Sequence, residues 1–195
     1  MRILWRLFVL LFLGSTLILS GSIDNPQIII KTELGDIKVE IYQEAAPITA
    51  YNFLNYVDES RFKDSCFYRV VRMDNQPDND IKIEVIQGGL RNTSTDKMLP
   101  PIDHETTEKT GILHKDGVIS MARLEPGTAA SEFFICIGDQ PELDFGGKRN
   151  PDGQGFSSFG KVISGMDVVR KIHQHPTEGQ ILVPKVKIFD IVRVK

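Results

Sequence analysis

Ala130-Ser131-Glu132-Phe133-Phe134-Ile135-Cys136-Ile137 reads as a short β run over 132–138, and two adjacent phenylalanines in such a run are ordinarily core. The run does not stand alone. Phe67-Tyr68-Arg69-Val70-Val71, Val85-Ile86-Gln87-Gly88-Gly89 and Ile119-Ser120-Met121-Ala122-Arg123 precede it, and Phe159-Gly160-Lys161-Val162-Ile163-Ser164-Gly165-Met166 follows. Each block is weak alone, and their order is the information.

Working outward, residues 28–33 and 37–42 flank Leu34-Gly35-Asp36, and Ile37, Val39 and Ile41 alternate with Lys38 and Glu40. Period two marks a half-buried strand closing a hairpin. Ala50, Phe53, Leu54 and Val57 fall on one helical face behind Pro47, a residue tolerated in a first helical turn. A second helix is expected over 166–174, with Met166, Val169 and Ile172 inward. Short β runs are expected at 66–72, 81–87, 117–123, 132–138, 158–163 and 185–194. Many short strands with two helices suit a closed barrel with helical plugs, and periodicity alone does not separate that from a sandwich.

The chain carries a formal net charge of −3. Residues 1–22 hold Arg2 and Arg6 and no acid, so 23 basic residues fall to 21 against 26 acidic ones without them, a net of −5. An acidic surface repels phosphate backbones, which argues against a nucleic-acid partner. Arg2 and Arg6 precede an apolar stretch, Leu7 to Leu19, and then Ser20-Gly21-Ser22. That pattern reads as a signal peptide over 1–22, cleaved after Ser22, or as an N-terminal anchor through residues 3–19; the stretch is short against the roughly 20 residues a spanning helix needs. Either way the chain is exported, to the periplasm or cell envelope. The remainder, 23–195, shows no internal repeat or linker and is expected to be one domain, acting as a monomer. Cys66 and Cys136 read as small buried hydrophobes rather than a disulfide. His173-Gln174-His175 lacks a third ligand and reads as a helix end, so no metal is expected. Asn92-Thr93-Ser94 fits a glycosylation sequon.

The ordered blocks resemble the cyclophilin family of peptidyl-prolyl cis/trans isomerases over most of the chain, from about Ile28 to Val194. The resemblance implies a mainly β fold, a closed eight-stranded antiparallel barrel with an α-helix over each open end and the site on its outer face. It implies isomerisation of X–Pro bonds in unfolded or flexible polypeptides, without cofactor. Rotation of a peptide bond costs ~18–20 kcal/mol because the nitrogen lone pair is delocalised. Catalysis needs a pocket for the proline ring and a donor that engages the nitrogen once its lone pair returns in the twisted state. A permanently charged arginine suits that role. By position, Arg69 matches the family's catalytic arginine and Gln87 the glutamine that bonds the substrate backbone. Phe134 matches the aromatic floor of the proline pocket, Ala122 the small residue beside the substrate and Leu143 a pocket-rim leucine. Phe156 stands where the family has a pocket histidine.

The departures are specific. A loop at 73–80 separates Arg69 from Gln87. Glu84 and Val85 stand where Phe-Met is common, leaving Met73 or Ile83 to complete that wall. Glu142 stands where the family has a pocket tryptophan. These acids motivate a second reading, a catalytically weak proline-peptide binding or chaperone module. A third, a scaffold domain held by its N-terminus, rests on the apolar stretch.

Overall fold

The computed structural model describes residues 24–91 and 95–194. The expected signal or anchor at 1–22 and the sequon Asn92-Thr93-Ser94 lie outside the described residues.

The hairpin forms where alternation places it. β1 (Gln27–Thr32) pairs with β2 (Gly35–Ile41), and Ile28, Ile30, Ile37, Val39 and Ile41 are all buried on one face. Seven strands follow: β3 (Cys66–Val71), β4 (Val85–Gly89), β5 (Val118–Met121), β6 (Phe133–Cys136), β7 (Ser157–Ser164), β8 (Thr177–Glu178) and β9 (Ile181–Arg193). Their order is β1-β2-β7-β5-β6-β4-β3-β9, and β9 returns to pair with β1. Eight antiparallel strands thus close a barrel and leave no open edge. β8 is a two-residue addition bonded to β9 alone.

α1 (Pro47–Asp58) begins at its proline and drives Phe53 into the barrel. Phe53 meets Phe62, Phe133 and Phe159 with ring centroids 4.9–5.5 Å apart, tilted or edge-on as aromatic quadrupoles prefer. Ala46 at the N-cap offers no side-chain acceptor. Buried Glu105 does so from a distant loop, taking the amides of Ile48 and Thr49 at 3.2 and 2.7 Å, so a negative charge sits at the helix's positive end. α3 (Met166–His173) packs against β2, β3 and β4 and buries Val169 and Ile172. A four-residue helix, α2 (Thr107–Thr110), was not expected.

Two strand starts differ from expectation by four residues, and the two-residue β8 was not expected. The run over 81–87 becomes β4 only at Val85, because Gln76 takes the backbone of Ile83 out of the ladder. Its amide donates to Ile83 O at 2.8 Å and its carbonyl accepts from Ile83 N at 3.3 Å. The last strand starts at Ile181 rather than 185, ahead of Pro184. The β3–β9 register shifts between Phe67 and Arg69, so this proline falls in a bulge, where no ladder donor is required. Both cysteines are free, Cys136 buried and Cys66 half-buried. Burial pushes the Cys136 thiol well up, which keeps it protonated and unreactive.

Candidate active site

Register places the candidate residues in one row. Arg69 of β3 faces Gln87 of β4, Gln87 faces Phe134 of β6, and Phe134 faces Ser120 of β5. The row lies on the barrel's outer face, since Phe67, Ile86, Phe133 and Ile119 beside it point into the core. A one-residue slip of any strand would exchange the two sets.

Above the row lies a cavity of about 390 Å³, and its lining includes all six sequence candidates: Arg69, Gln87, Ala122, Phe134, Leu143 and Phe156. Phe134 and Phe156 meet edge-to-face at 5.3 Å. With Val71, Ile83, Val85, Cys136 and Leu143 they form a small apolar cluster separate from the barrel core. Leu143 is fully buried and belongs to the floor of this pocket, not its rim. Ile83 and Val85 line the cavity where an apolar wall was in question. Glu84 is not part of the lining; its carboxylate lies 4.0 Å from His173 Nε2. Glu142 is likewise absent, because its carboxylate turns back to accept from Lys148 N at 2.8 Å.

Arg69 is held by neutral acceptors. One terminal N–H donates to Gln87 Oε1 at 2.7 Å, while Nε and the other terminal nitrogen donate to Gln180 Oε1 at 2.9 and 2.6 Å. A guanidinium has five N–H groups, so three are engaged and two remain for a ligand. Burial, chiefly, pulls the guanidinium below its ordinary value, and its charge remains intact in the working range. Gln180 is steadied by Asn75, whose backbone oxygen accepts from its amide at 3.1 Å. Asn75 in turn bonds Arg72 N and Val70 O. The loop at 73–80 is therefore a buttress for the arginine.

A second chain fixes Gln87. Glu132 sits half-buried behind Tyr68, and its carboxylate accepts from Tyr68 Oη at 2.5 Å, Leu90 N at 2.8 Å and Ser131 Oγ at 3.0 Å. Burial and the Glu132 charge push the Tyr68 phenol far up, so it stays protonated and donates. Its oxygen can then only accept from Gln87 Nε2, at 2.8 Å. That orients Gln87 with Oε1 toward Arg69. A flipped amide would set donor against donor at Arg69 and acceptor against acceptor at Tyr68. Gly89 makes the arrangement possible: its φ is +140°, and a Cβ there would lie 2.7 Å from the Glu132 carboxylate.

Phe134 has its own support. The His114 ring stacks on it at 5.9 Å and 15°. His114 Nδ1 lies 2.7 Å from Asp144 Oδ1, and Nε2 lies 2.9 Å from Ser120 Oγ. Serine, histidine and carboxylate in line resemble a hydrolytic triad, yet Ser120 and His114 are 0 % and 1 % exposed. No substrate carbonyl reaches them, and their work is to hold the aromatic floor. Sequence reasoning missed Tyr68, Glu132, Gln180, Asn75, His114 and Arg149. Only Tyr68, adjacent to Arg69, carried a local signal. Among the described residues no group of three or more His, Cys, Asp or Glu could hold a metal, and no helix is long and apolar enough to cross a membrane.

Comparison with known proteins gives the family and the fold. The family model for cyclophilin-type peptidyl-prolyl cis-trans isomerase/CLD matches residues 27–193. A peptidyl-prolyl cis-trans isomerase of Acinetobacter baylyi is 35 % identical over 170 residues, 87 % of this chain and 83 % of the relative. Peptidyl-prolyl cis-trans isomerase B of Escherichia coli is 33 % identical over 144 residues, 72 % of this chain and 80 % of that one. A crystal structure of a Cryptosporidium parvum cyclophilin-type isomerase superposes with TM-score 0.70 at 22 % identity, covering 88 % and 98 % of the two chains. Another, determined in the presence of the dipeptide Ala-Pro, gives 0.69 at 23 %, covering 87 % and 99 %.

Proposed function

The chain belongs to the cyclophilin-type peptidyl-prolyl cis-trans isomerases, and from that premise we propose that Arg69 catalyses rotation about X–Pro bonds of unfolded or flexible polypeptides outside the cytoplasm. The proline ring enters the apolar pocket of Phe134, Leu143, Ala122 and Phe156. Gln87 bonds the substrate backbone. As the amide twists, its nitrogen regains a lone pair, and a free N–H of Arg69 donates to it. That bond is good only in the twisted state, so it lowers the barrier rather than deepening the ground state. Uncatalysed, the bond turns over in tens to hundreds of seconds.

The observation that carries this reading is Arg69 itself, fixed on two glutamine carbonyls beside an apolar pocket with two donors left over. A protease-free exchange assay on a proline tetrapeptide tests it. Arg69→Ala should lose most of the acceleration; kcat/KM within about twofold of the parent, under ~0.5 kcal/mol, would remove Arg69 from the role. A binding module with little turnover was motivated by Glu84 and Glu142. Both carboxylates face away from the cavity, which takes that motive away. Export rests on the charged-then-apolar order of residues 2–19, and N-terminal sequencing of the mature protein tests both cleavage and anchoring.

A further inference from the structure

The chain is acidic overall, yet four arginines line the proline cavity, Arg69, Arg91, Arg123 and Arg149, and no aspartate or glutamate does. Arg123 is neutralised by Asp152, which accepts two bonds from it at 2.7 and 2.9 Å. Among the described residues, the other three meet no carboxylate within ion-pair distance.

Their restraints are neutral. Arg149 donates to Gln76 Oε1 at 2.9 Å and to Ile81 O at 2.5 Å, which fixes the guanidinium in the wall without cancelling its charge. Arg91 lies 5.7 Å over the Tyr68 ring. Glu132, whose carboxylate is attracted to Arg91, lines the adjoining depression and takes its hydrogen bonds from Tyr68, Ser131 and Leu90. Burial lowers the Arg149 and Arg69 guanidiniums, and repulsion adds to it, from Arg69 on Arg149 and from Arg91 on Arg69. Three cations sharing one concavity raise each other's energy, and an anion entering among them relieves all three. A purely structural tie at 149 would need a donor, not a charge. We propose that the site selects proline segments with anionic side chains, carboxylate or phosphate, next to the proline, held by the Arg149 and Arg91 guanidiniums that share the cavity with Arg69. This rests on the isomerase reading of the same cavity and adds its preferred substrate.

The test uses the full chain and tetrapeptides that differ only in the residues flanking proline: Glu, Gln, Lys or phosphoserine. Both kcat/KM and Kd are measured. The Glu peptide should exceed the Lys peptide by about tenfold at low salt, and the two should converge as ionic strength rises to about 0.5 M, where screening is nearly complete. Parity of Glu and Lys within about twofold at low salt overturns the proposal. The Gln peptide isolates the isomerase reading: no turnover with it, while Glu still binds more tightly than Lys, defeats that reading and keeps the charge preference. A further gain for phosphoserine over Glu assigns the preference to a dianion, and equality assigns it to a carboxylate. Arg149→Gln with Arg91→Gln should collapse the Glu-to-Lys ratio toward one, while Arg149→Lys keeps it. A correctly folded double variant, checked by circular dichroism, that retained the full ratio would overturn the assignment. Should that variant not fold, the salt series on the parent chain still decides.

Discussion

Phe133 and Phe134 are neighbours on β6, and each belongs to a different part of the molecule. Phe133 is wholly buried and meets Phe53, Phe62 and Phe67 edge-on at 5.5–5.7 Å. Phe134 lies across the sheet in the small outer cluster, stacked on His114 and edge-on to Phe156. The inner face is held chiefly by apolar burial. The outer face mixes a few apolar groups with hydrogen-bonded chains that point Arg69, Gln87 and Phe134 at one cavity. One strand thus serves the core on one side and the candidate site on the other, and the alternation of the pleat keeps the two apart.

That separation can be broken from either side. Phe133→Ala should cost ~3–5 kcal/mol of stability, read as a lower urea midpoint with an unchanged slope, because a rigid aromatic nest cannot collapse onto the void. Arg69→Ala should lower kcat/KM about a hundredfold, ~2.7 kcal/mol in the transition state, while costing under ~2 kcal/mol of stability. Equal loss of stability in both variants would erase the division between the faces. Phe134→Ala falls between: KM should rise at least about tenfold, and its stability cost should be below that of Phe133→Ala, since water can enter the opened cavity.

Tyr68→Phe sharpens the comparison, because it keeps the ring and deletes the hydroxyl that orients Gln87. We expect kcat/KM down about fivefold, ~1 kcal/mol, with kcat carrying most of it. A change confined to stability would make Tyr68 merely structural. The smallest effect concerns Glu132. Burial holds its carboxyl above the ordinary value, so the folded state binds this proton more readily than the unfolded chain. Stability from this group is therefore full below the ordinary carboxyl range and declines as pH rises from about 4 through the raised value. Glu132→Gln should flatten that decline in urea midpoints taken from about pH 4 to pH 7.

The sequence was most legible where the site is local. Four of the six candidates, Arg69, Gln87, Ala122 and Phe134, lie in the short blocks, whose order and alternation carry both faces of β3, β4, β5 and β6. Leu143 and Phe156 came from the family resemblance, and all six line one cavity. It was least legible where a side chain acts from afar. Gln180 reaches Arg69 across 111 positions, and no pattern near either residue announces the pair. The loop at 73–80 looked like an interruption between Arg69 and Gln87; Asn75 and Gln76 make it a support for Arg69 and Arg149. Glu84 and Glu142 stood at pocket positions in the alignment of motifs, but the Glu142 carboxylate is taken by Lys148 N and that of Glu84 lies 4.0 Å from His173 Nε2, both outside the cavity lining.

The closing strand gives the barrel a timetable. β9 pairs with β1 and β3, and Gln180, the residue just before it, grips Arg69. A ribosome makes β9 after each of the other eight strands. Until Gln180 and β9 emerge, β1 and β3 expose bare edges, and the arginine lacks its second clasp. The nascent chain can gather its aromatic centre early, but it can neither shut the cylinder nor complete the clasp on Arg69 before Gln180 and β9 are made. A chain stopped before Gln180 would keep Arg69, Gln87 and Phe134 and still have no closed barrel to put them in.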